Sequence, residues 1–464
     1  MEVKTELTLG DVLAACVDAI PVGYDGRMSI KEVKIDSRAI QAGDLFVALP
    51  GERVNGHQFV RSAFERGARA AIVSETVDAP PGAVLVRVPS TLRALQELAK
   101  QWRKRFNVRI IGVTGSIGKT TTKELIAQVL GTGRGIVVLR NEGNQNSESS
   151  LPLNVLKLRP EHTHGVFEMG MYALGEIATL ADISQPVVGV VTKIEPVHME
   201  RLGSIENIAR AKAELIEALP LDGLAILNDD DDRVREMRGL TRARVMTYGT
   251  TPRADVWADD ITSLGLDGVS LTIHNKSDSW HLRVPLLGAH SAFTVLRAAT
   301  VAIAEGLTWD EIINALQRPG VQLRLQTLEG PYDSVVLDDT YNASAESTIA
   351  ALNLLDTLDR PRVAVLGEMY ELGEAEEREH RMVGCRAALV ADEIVCLGEK
   401  ARWIAEEAIA CGASRSNVFH VMTNEACLEL LNRLVTRRSV VLFKGSRGLA
   451  MENIVRQFVV RGNE

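Results

Sequence analysis

At 464 residues the chain exceeds one ordinary core and has material for about two to four domains. Hydrophobic residues at 46% and charged residues at 24% rule out the apolar-poor composition of a disordered chain. The 52 Lys and Arg against 61 Asp and Glu leave a net −9, which argues against general nucleic-acid binding but leaves room for a local basic cleft that holds phosphates.

Up to about residue 105, short strands such as "DLFVALPG" and "AAIVSE" mix with helical patches such as "TLRALQELAKQWRKR". The apolar strand "VRIIGVTG" opens a second segment of β-α alternation, with strands at "HGVFEMG" and "QPVVGVVTKI" and a β-rich stretch near 245–285. The helix "HSAFTVLRAATVAIAEG" follows. Beyond "LQRPGVQLRLQ", strands "SVVLDDT", "RVAVLGE", "EIVCLG", "NVFHV" and "SVVLFKG" alternate with helical patterns, which predicts a parallel, doubly wound sheet covered by helices. The expected organisation is therefore three α/β modules over residues 1–105, 106–320 and 321–464. The five cysteines (Cys16, Cys385, Cys396, Cys411, Cys427) are scattered and lack C-x-x-C spacing, so they read as reduced and buried rather than as disulfides or zinc ligands. No cationic leader or apolar run of membrane-spanning length is present, so a cytoplasmic protein without a membrane span is expected.

The stretch "GVTGSIGKTTT" carries the chemistry. A standard phosphate loop has a glycine five places before its Gly-Lys pair, where this chain has Val113. The physical ingredients are nonetheless complete. Gly115 and Gly118 let backbone N–H groups approach an anion, with Ser116 between them in the loop. Lys119 supplies a cation, Thr120 or Thr121 a hydroxyl for Mg²⁺, and the helix "KTTTKELIAQVL" directs its N-terminal dipole at the phosphates.

The form T-G-[ST]-x-G-K-[ST]-T resembles the loop of the Mur ligases and of the related folylpolyglutamate synthases, which use ATP to activate a carboxylate and then form an amide. The resemblance runs through all three segments. "DSRAIQAGDLFVALPGERVNGHQF" is similar to a uridine-nucleotide-binding N-terminal module. "GNQNSESSLPL", "VFEMGMYALGEI" and "HMERLGSIENIARAKAEL" resemble central motifs. "LDDTYNASAESTIAAL", "VLGEMYELGE" and "LFKGSRGLAMENIV" resemble the C-terminal domain of the member that adds a dipeptide. The resemblance implies a uridine-nucleotide-sugar-binding module, a central P-loop ATPase-like domain with a parallel-rich sheet, and a C-terminal Rossmann-like domain. It also implies an activity: ATP-dependent addition of D-alanyl-D-alanine to UDP-N-acetylmuramoyl-tripeptide through an acyl phosphate, with Mg²⁺, by a monomer. The alternatives are another ligase of this type, or a catalytically impaired relative that binds the nucleotide sugar.

Site residues follow from matching the motifs. Glu168 ends one apolar strand and His198 lies just past another, so both face the phosphate loop if the strands are parallel, as Mg²⁺ ligands. Lys212 falls inside the stripe Ile205, Ile208, Ala209, Leu215, Ile216 and Leu219, where it is either a lysine snorkelling from the edge or, as the family implies, a carbamylated lysine ligating Mg²⁺. His290, Ser291, Thr294, Arg324 and Asp339 match nucleotide-binding positions. Ser37, Arg38, Asn55, Gly56, His57, Asn144, Asn146, Tyr341, Asn342, Lys444, Ser446 and Arg447 match substrate-binding ones. The chain departs from the family at Ser291 and Thr294, where adenine-reading Asn is usual. It also departs at Ser147, Ser149 and Ser150, and at Lys193 and Glu195.

Overall fold

The computed structural model describes residues 6–16, 20–22, 25–51, 54–196, 199–318 and 325–460. Three large sheets organise them. In the first, strands Val33–Lys34, Leu45–Val47, Ala70–Val73 and Val84–Arg87 run parallel in that order, with Ile20–Val22 antiparallel at the edge. Alternation along Leu45–Val47 sends Phe46 to a small core with Val60, Ala63 and Ala71. Leu45 and Val47 point the other way, into a core shared with the helix Thr91–Arg103 and with Leu151, Val155 and Phe167 of the central segment. That helix joins the two segments. Its Trp102 Nε1 donates to the Leu158 carbonyl at 3.2 Å, and Arg103 caps the carbonyls of Ser184, Phe106 and Val108 at 2.7–2.9 Å.

The central sheet has nine strands, parallel from Val138–Arg140 through Val256–Ser263 and antiparallel beyond, which is the β-rich stretch the sequence predicts. Strand Arg109–Thr114 lies at its middle, flanked by His164–Glu168 on one side and Val188–Val191 on the other. Chain order reverses there, and ligands bind at the carboxyl edge of such a switch point. Register fixes what meets at that edge, since Val113 pairs with both Glu168 and Val190. Three strand ends therefore converge on the phosphate loop.

The third sheet is parallel except for the edge strand Gln326–Glu329. Strands Val335–Asp339 and Val440–Lys444 pair with Asp339 directly opposite Lys444. One cysteine expectation is corrected: Cys385 and Cys411 form a disulfide, linking the helix Glu376–Val390 to the residue that closes the helix Arg402–Ala410. Those helices pack side by side, a proximity that 26 residues of separation conceal in a sequence. Cys16, Cys396 and Cys427 are free and buried. Among the described residues no helix is long and apolar enough to cross a membrane.

Candidate active site

The phosphate loop sits between strand Arg109–Thr114 and helix Lys119–Leu130. Gly115 and Gly118 have φ of 139° and 75°, and a Cβ on Gly115 would lie 1.9 Å from Thr192 Oγ1. Glycine is required at 115 by space as well as by torsion. The loop is tied to the segment after strand Val188–Val191. Ser116 N donates to the Lys193 carbonyl at 2.8 Å, Ser116 Oγ donates to Glu195 O at 3.0 Å, and Thr192 Oγ1 donates to Ile117 O at 2.6 Å. Lys119 Nζ folds onto the loop's own carbonyls at Gly115 and Ser116, at 2.9 and 3.0 Å.

A cleft of about 610 Å³ opens between this loop and the edge of the third sheet. It gathers most of the motif-matched positions from both segments. Ser116, Gly118, Lys119, Thr121, Asn144, His290, Ser291 and Thr294 line one wall, and Asp339, Tyr341, Asn342, Lys444, Ser446 and Arg447 the other. The second wall is rigidly built. Lys444 Nζ donates to Asp339 Oδ2 at 2.6 Å and to the Asn342 carbonyl at 2.9 Å, while Ser446 Oγ accepts from Tyr370 N at 2.9 Å. Arg447 lies over the Tyr341 ring, 5.6 Å from its centre.

Beside the loop, Glu168 is buried; its Oε1 accepts from Asn146 Nδ2 at 2.7 Å, but Oε2 has no hydrogen-bond partner. A buried, orphaned carboxylate oxygen next to a phosphate loop fits a hard divalent cation. Lys212, on helix Ile205–Glu217, is 1% exposed and makes no hydrogen bond or ion pair with any described residue. Snorkelling is thereby excluded. Burial pushes its amine well down, with Lys119 adding to the shift and Glu168, Glu176 and Glu214 opposing it. Among the described residues no three His, Cys, Asp or Glu side chains converge as a ready-made metal cage. His198 and Arg324 lie outside the described residues.

In the first segment Asp36 pairs with an exposed Arg38 at 2.8 Å and Ser37 is buried. Gly56 packs so closely that a Cβ would sit 2.6 Å from the Leu49 carbonyl. His57 differs from a solvent-facing binding residue. It is buried, its Nε2 accepts from Ser74 N at 2.9 Å, and its Nδ1 is left to donate to Asn55 Oδ1 at 2.7 Å. Both ring nitrogens organise the loop and neither remains for a ligand.

The departures at the loop's flanks also acquire physical roles. The Ser147 hydroxyl bonds those of Ser150 and Ser149, at 2.9 and 3.3 Å, ahead of the helix Leu151–Val155. Lys193 Nζ reaches Glu195 at 2.7 Å and, across the cleft, Glu346 of the third segment. Burial and the Glu346 carboxylate push Glu195 up to about 7, with Lys193 opposing. Ser291 Oγ is committed to the Leu287 carbonyl at 2.7 Å, and Thr294 Oγ1 accepts from Arg297 at 3.1 Å. The motif reading passed over Arg297, Asn228 and Asp230, which also line the cleft. Arg297 had a signal: it is the one charged residue in the helix "SAFTVLRAATVAIA".

Three family models match the chain: Mur ligase family, catalytic domain, over residues 29–103; Mur ligase middle domain over 113–302; and Mur ligase, glutamate ligase domain, over 323–447. A UDP-N-acetylmuramoyl-tripeptide–D-alanyl-D-alanine ligase of Synechocystis sp. is 34% identical over 463 residues, 98% of each chain. The structure is similar to MurF from Acinetobacter baumannii, with TM-score 0.87 and 30% identity over 98% of this chain and 99% of that one. It is also similar to MurF ligase from Thermotoga maritima in complex with ADP, with TM-score 0.82 and 27% identity over 93% and 98%.

Proposed function

Because the chain belongs to the Mur ligase family, we propose that it is an ATP-dependent ligase that joins D-alanyl-D-alanine to UDP-N-acetylmuramoyl-tripeptide in peptidoglycan precursor synthesis. The observation that carries this reading is the cleft itself, which sets the phosphate loop opposite the strand ends of "LDDTYNA" and "LFKGSRG".

The tripeptide carboxylate attacks the γ-phosphate of ATP, forming a C–O–P bond as the bond to ADP breaks. The dipeptide amine then attacks the acyl carbon, expelling phosphate and giving up a proton. Lys119 and the loop N–H groups from Gly115 to Thr120 hold and neutralise the transferring phosphoryl group. Thr120, Glu168 and a carbamate on Lys212 would supply oxygens for Mg²⁺, with His198 completing the set; bound there, Mg²⁺ would neutralise phosphate charge. Among the described residues Glu168 Oε2 and the Lys212 amine have no partner, which supports that set. A low-pKa amine is neutral enough to take up CO₂, and the product is anionic.

In this reading residues 1–105 anchor the uridine diphosphate through Ser37, Arg38, Asn55 and Gly56. Residues 106–320 activate ATP, and residues 321–464 deliver the dipeptide through Tyr341, Asn342, Ser446 and Arg447. Closure of the cleft excludes water that would hydrolyse the acyl phosphate. The protein works as a cytoplasmic monomer. Phosphate release by the purified protein is the test. It should need ATP, the UDP-linked tripeptide and D-alanyl-D-alanine together. Equal release with L-alanine or D-glutamate and the shorter UDP-sugar precursors would assign a different ligase step, and no release with any pair would leave only a binding protein.

A further inference from the structure

Among the described residues two arginines are buried, and they are held differently. Arg103 is 7% exposed and each of its three nitrogens donates to a backbone carbonyl, as a structural arginine should. Arg297 is 5% exposed and lines the nucleotide cleft; among the described residues it donates to one carbonyl, that of Phe293 at 2.9 Å, and to the Thr294 hydroxyl at 3.1 Å, and it engages Tyr248, whose ring centre lies 5.7 Å away. No carboxylate pairs with it among the described residues; the neighbour that favours its charge is the Tyr248 hydroxyl, against the cost of burial. Both terminal nitrogens lie 3.4 Å from where a Cβ of Gly118 would sit, so the guanidinium is flush against the last residue of the phosphate loop.

That position is electrostatically one-sided. The N-terminus of the helix Lys119–Leu130 is positive, Lys119 is positive, and Arg297 adds a third positive source that no carboxylate pairs with among the described residues. Arginine does not escape by losing its proton. An unpaired buried guanidinium costs free energy unless an anion arrives. The Ser291 hydroxyl is meanwhile committed to the Leu287 carbonyl just ahead of the helix and the Thr294 hydroxyl accepts from Arg297, so this end of the helix offers a ligand a cation rather than amide groups.

We propose that Arg297 is a nucleotide-binding residue of this chain, its guanidinium supplying charge to the phosphates of ATP and ADP on the side of the loop opposite Lys119. The proposal rests on the cleft being the ATP site. It also gives the Ser291–Thr294 pair a purpose: Thr294 orients the fork rather than reading adenine.

Calorimetry with ADP on wild type, Arg297→Gln and Arg297→Lys is the test, with melting curves recorded without nucleotide. Gln keeps bulk and hydrogen-bonding but removes charge. It should weaken ADP by about 10- to 100-fold and raise KM for ATP in parallel, with KM for the UDP-linked tripeptide unchanged. Lys should recover part of that loss. A structural arginine would lower the melting temperature of both variants and leave ADP affinity within about twofold of wild type, a result that overturns the proposal. Wild type that fails to bind ADP would instead overturn the assignment of the cleft, and this inference with it. If neither variant folds, the wild-type complex with ADP decides: a guanidinium nitrogen within about 4 Å of a phosphate oxygen supports the role, and a longer separation overturns it.

Discussion

Lys444 and Lys212 are hidden from water to the same degree, at 2% and 1% exposure, yet their surroundings are opposite. At the edge of the third sheet, parallel register places Asp339 beside Lys444, and a salt bridge plus a carbonyl satisfies the ammonium. Lys123, on the phosphate-loop helix, is likewise satisfied by the carbonyls of Asn141 and Gly143 and by Glu124. Beneath the central sheet Lys212 has no such partner among the described residues, and burial depresses its amine. Burial alone therefore does not mark a functional lysine. A buried amine without a compensating partner does, because the fold bears the cost of desolvating it for a reason that stability cannot supply.

The comparison breaks most directly through activity. If Lys212 carries the proposed carbamate, Lys212→Ala should lower kcat by about 10³-fold or more, since it would remove that oxygen donor to Mg²⁺. Acetate should restore part of the turnover by occupying the gap, and bicarbonate should revive wild type depleted of CO₂. Full activity in the Ala variant would return Lys212 to the class of Lys123. Lys119→Ala should cost a similar factor by removing the cation at the β- and γ-phosphates. Its melting temperature should move far less than its activity, because the loop is also tied down through Ser116 and Thr192.

Stability should reverse the ranking of the two lysines. Lys444→Met strands Asp339, which is 8% exposed, and should destabilise by about 3–5 kcal/mol in denaturant titrations. A second change, Asp339→Asn, should recover much of that loss. Lys212→Met removes an unpaired amine, so in metal-free, CO₂-depleted buffer it should be neutral or stabilising by about 1 kcal/mol. If both lysines destabilise equally when replaced, the contrast drawn from their hydrogen bonds is wrong.

Much of this contrast was legible in the sequence, but not the part that decides it. The stripe of helix Ile205–Glu217 locates Lys212 on a buried face, and the alternating strands locate Glu168 and Asp339 at sheet edges. Local periodicity carries that much. Whether a buried charge has a partner depends on register between strands about a hundred residues apart, as for Asp339 and Lys444, and periodicity says nothing of it. The same limit hid the disulfide, the internal commitment of His57, and the seating of Arg297 against Gly118.

A third lysine sharpens the comparison because it joins the two regions. Lys193 follows the central strand Val188–Val191, its backbone carbonyl accepts from the loop at Ser116, and its amine reaches both Glu195 and, from the third segment, Glu346. Two carboxylates share one ammonium, so one of them gains from keeping a proton. Burial and Glu346 raise Glu195 from 4.5 to about 7. A carboxyl raised in the folded state contributes stability that is fully present below its unfolded value near 4.5 and is lost as pH rises through 7. The side chains of Lys193 and Glu346 are 38% and 36% exposed, so solvent screens much of the effect and about 1 kcal/mol is a realistic size. Glu195→Gln holds its hydrogen at every pH. The variant's stability should therefore fall less than that of wild type between pH 5 and pH 8, by about that amount. Parallel stability curves for the two proteins would mean that Glu195 is ionised throughout, and that Lys193 satisfies both carboxylates as completely as Asp339 satisfies Lys444.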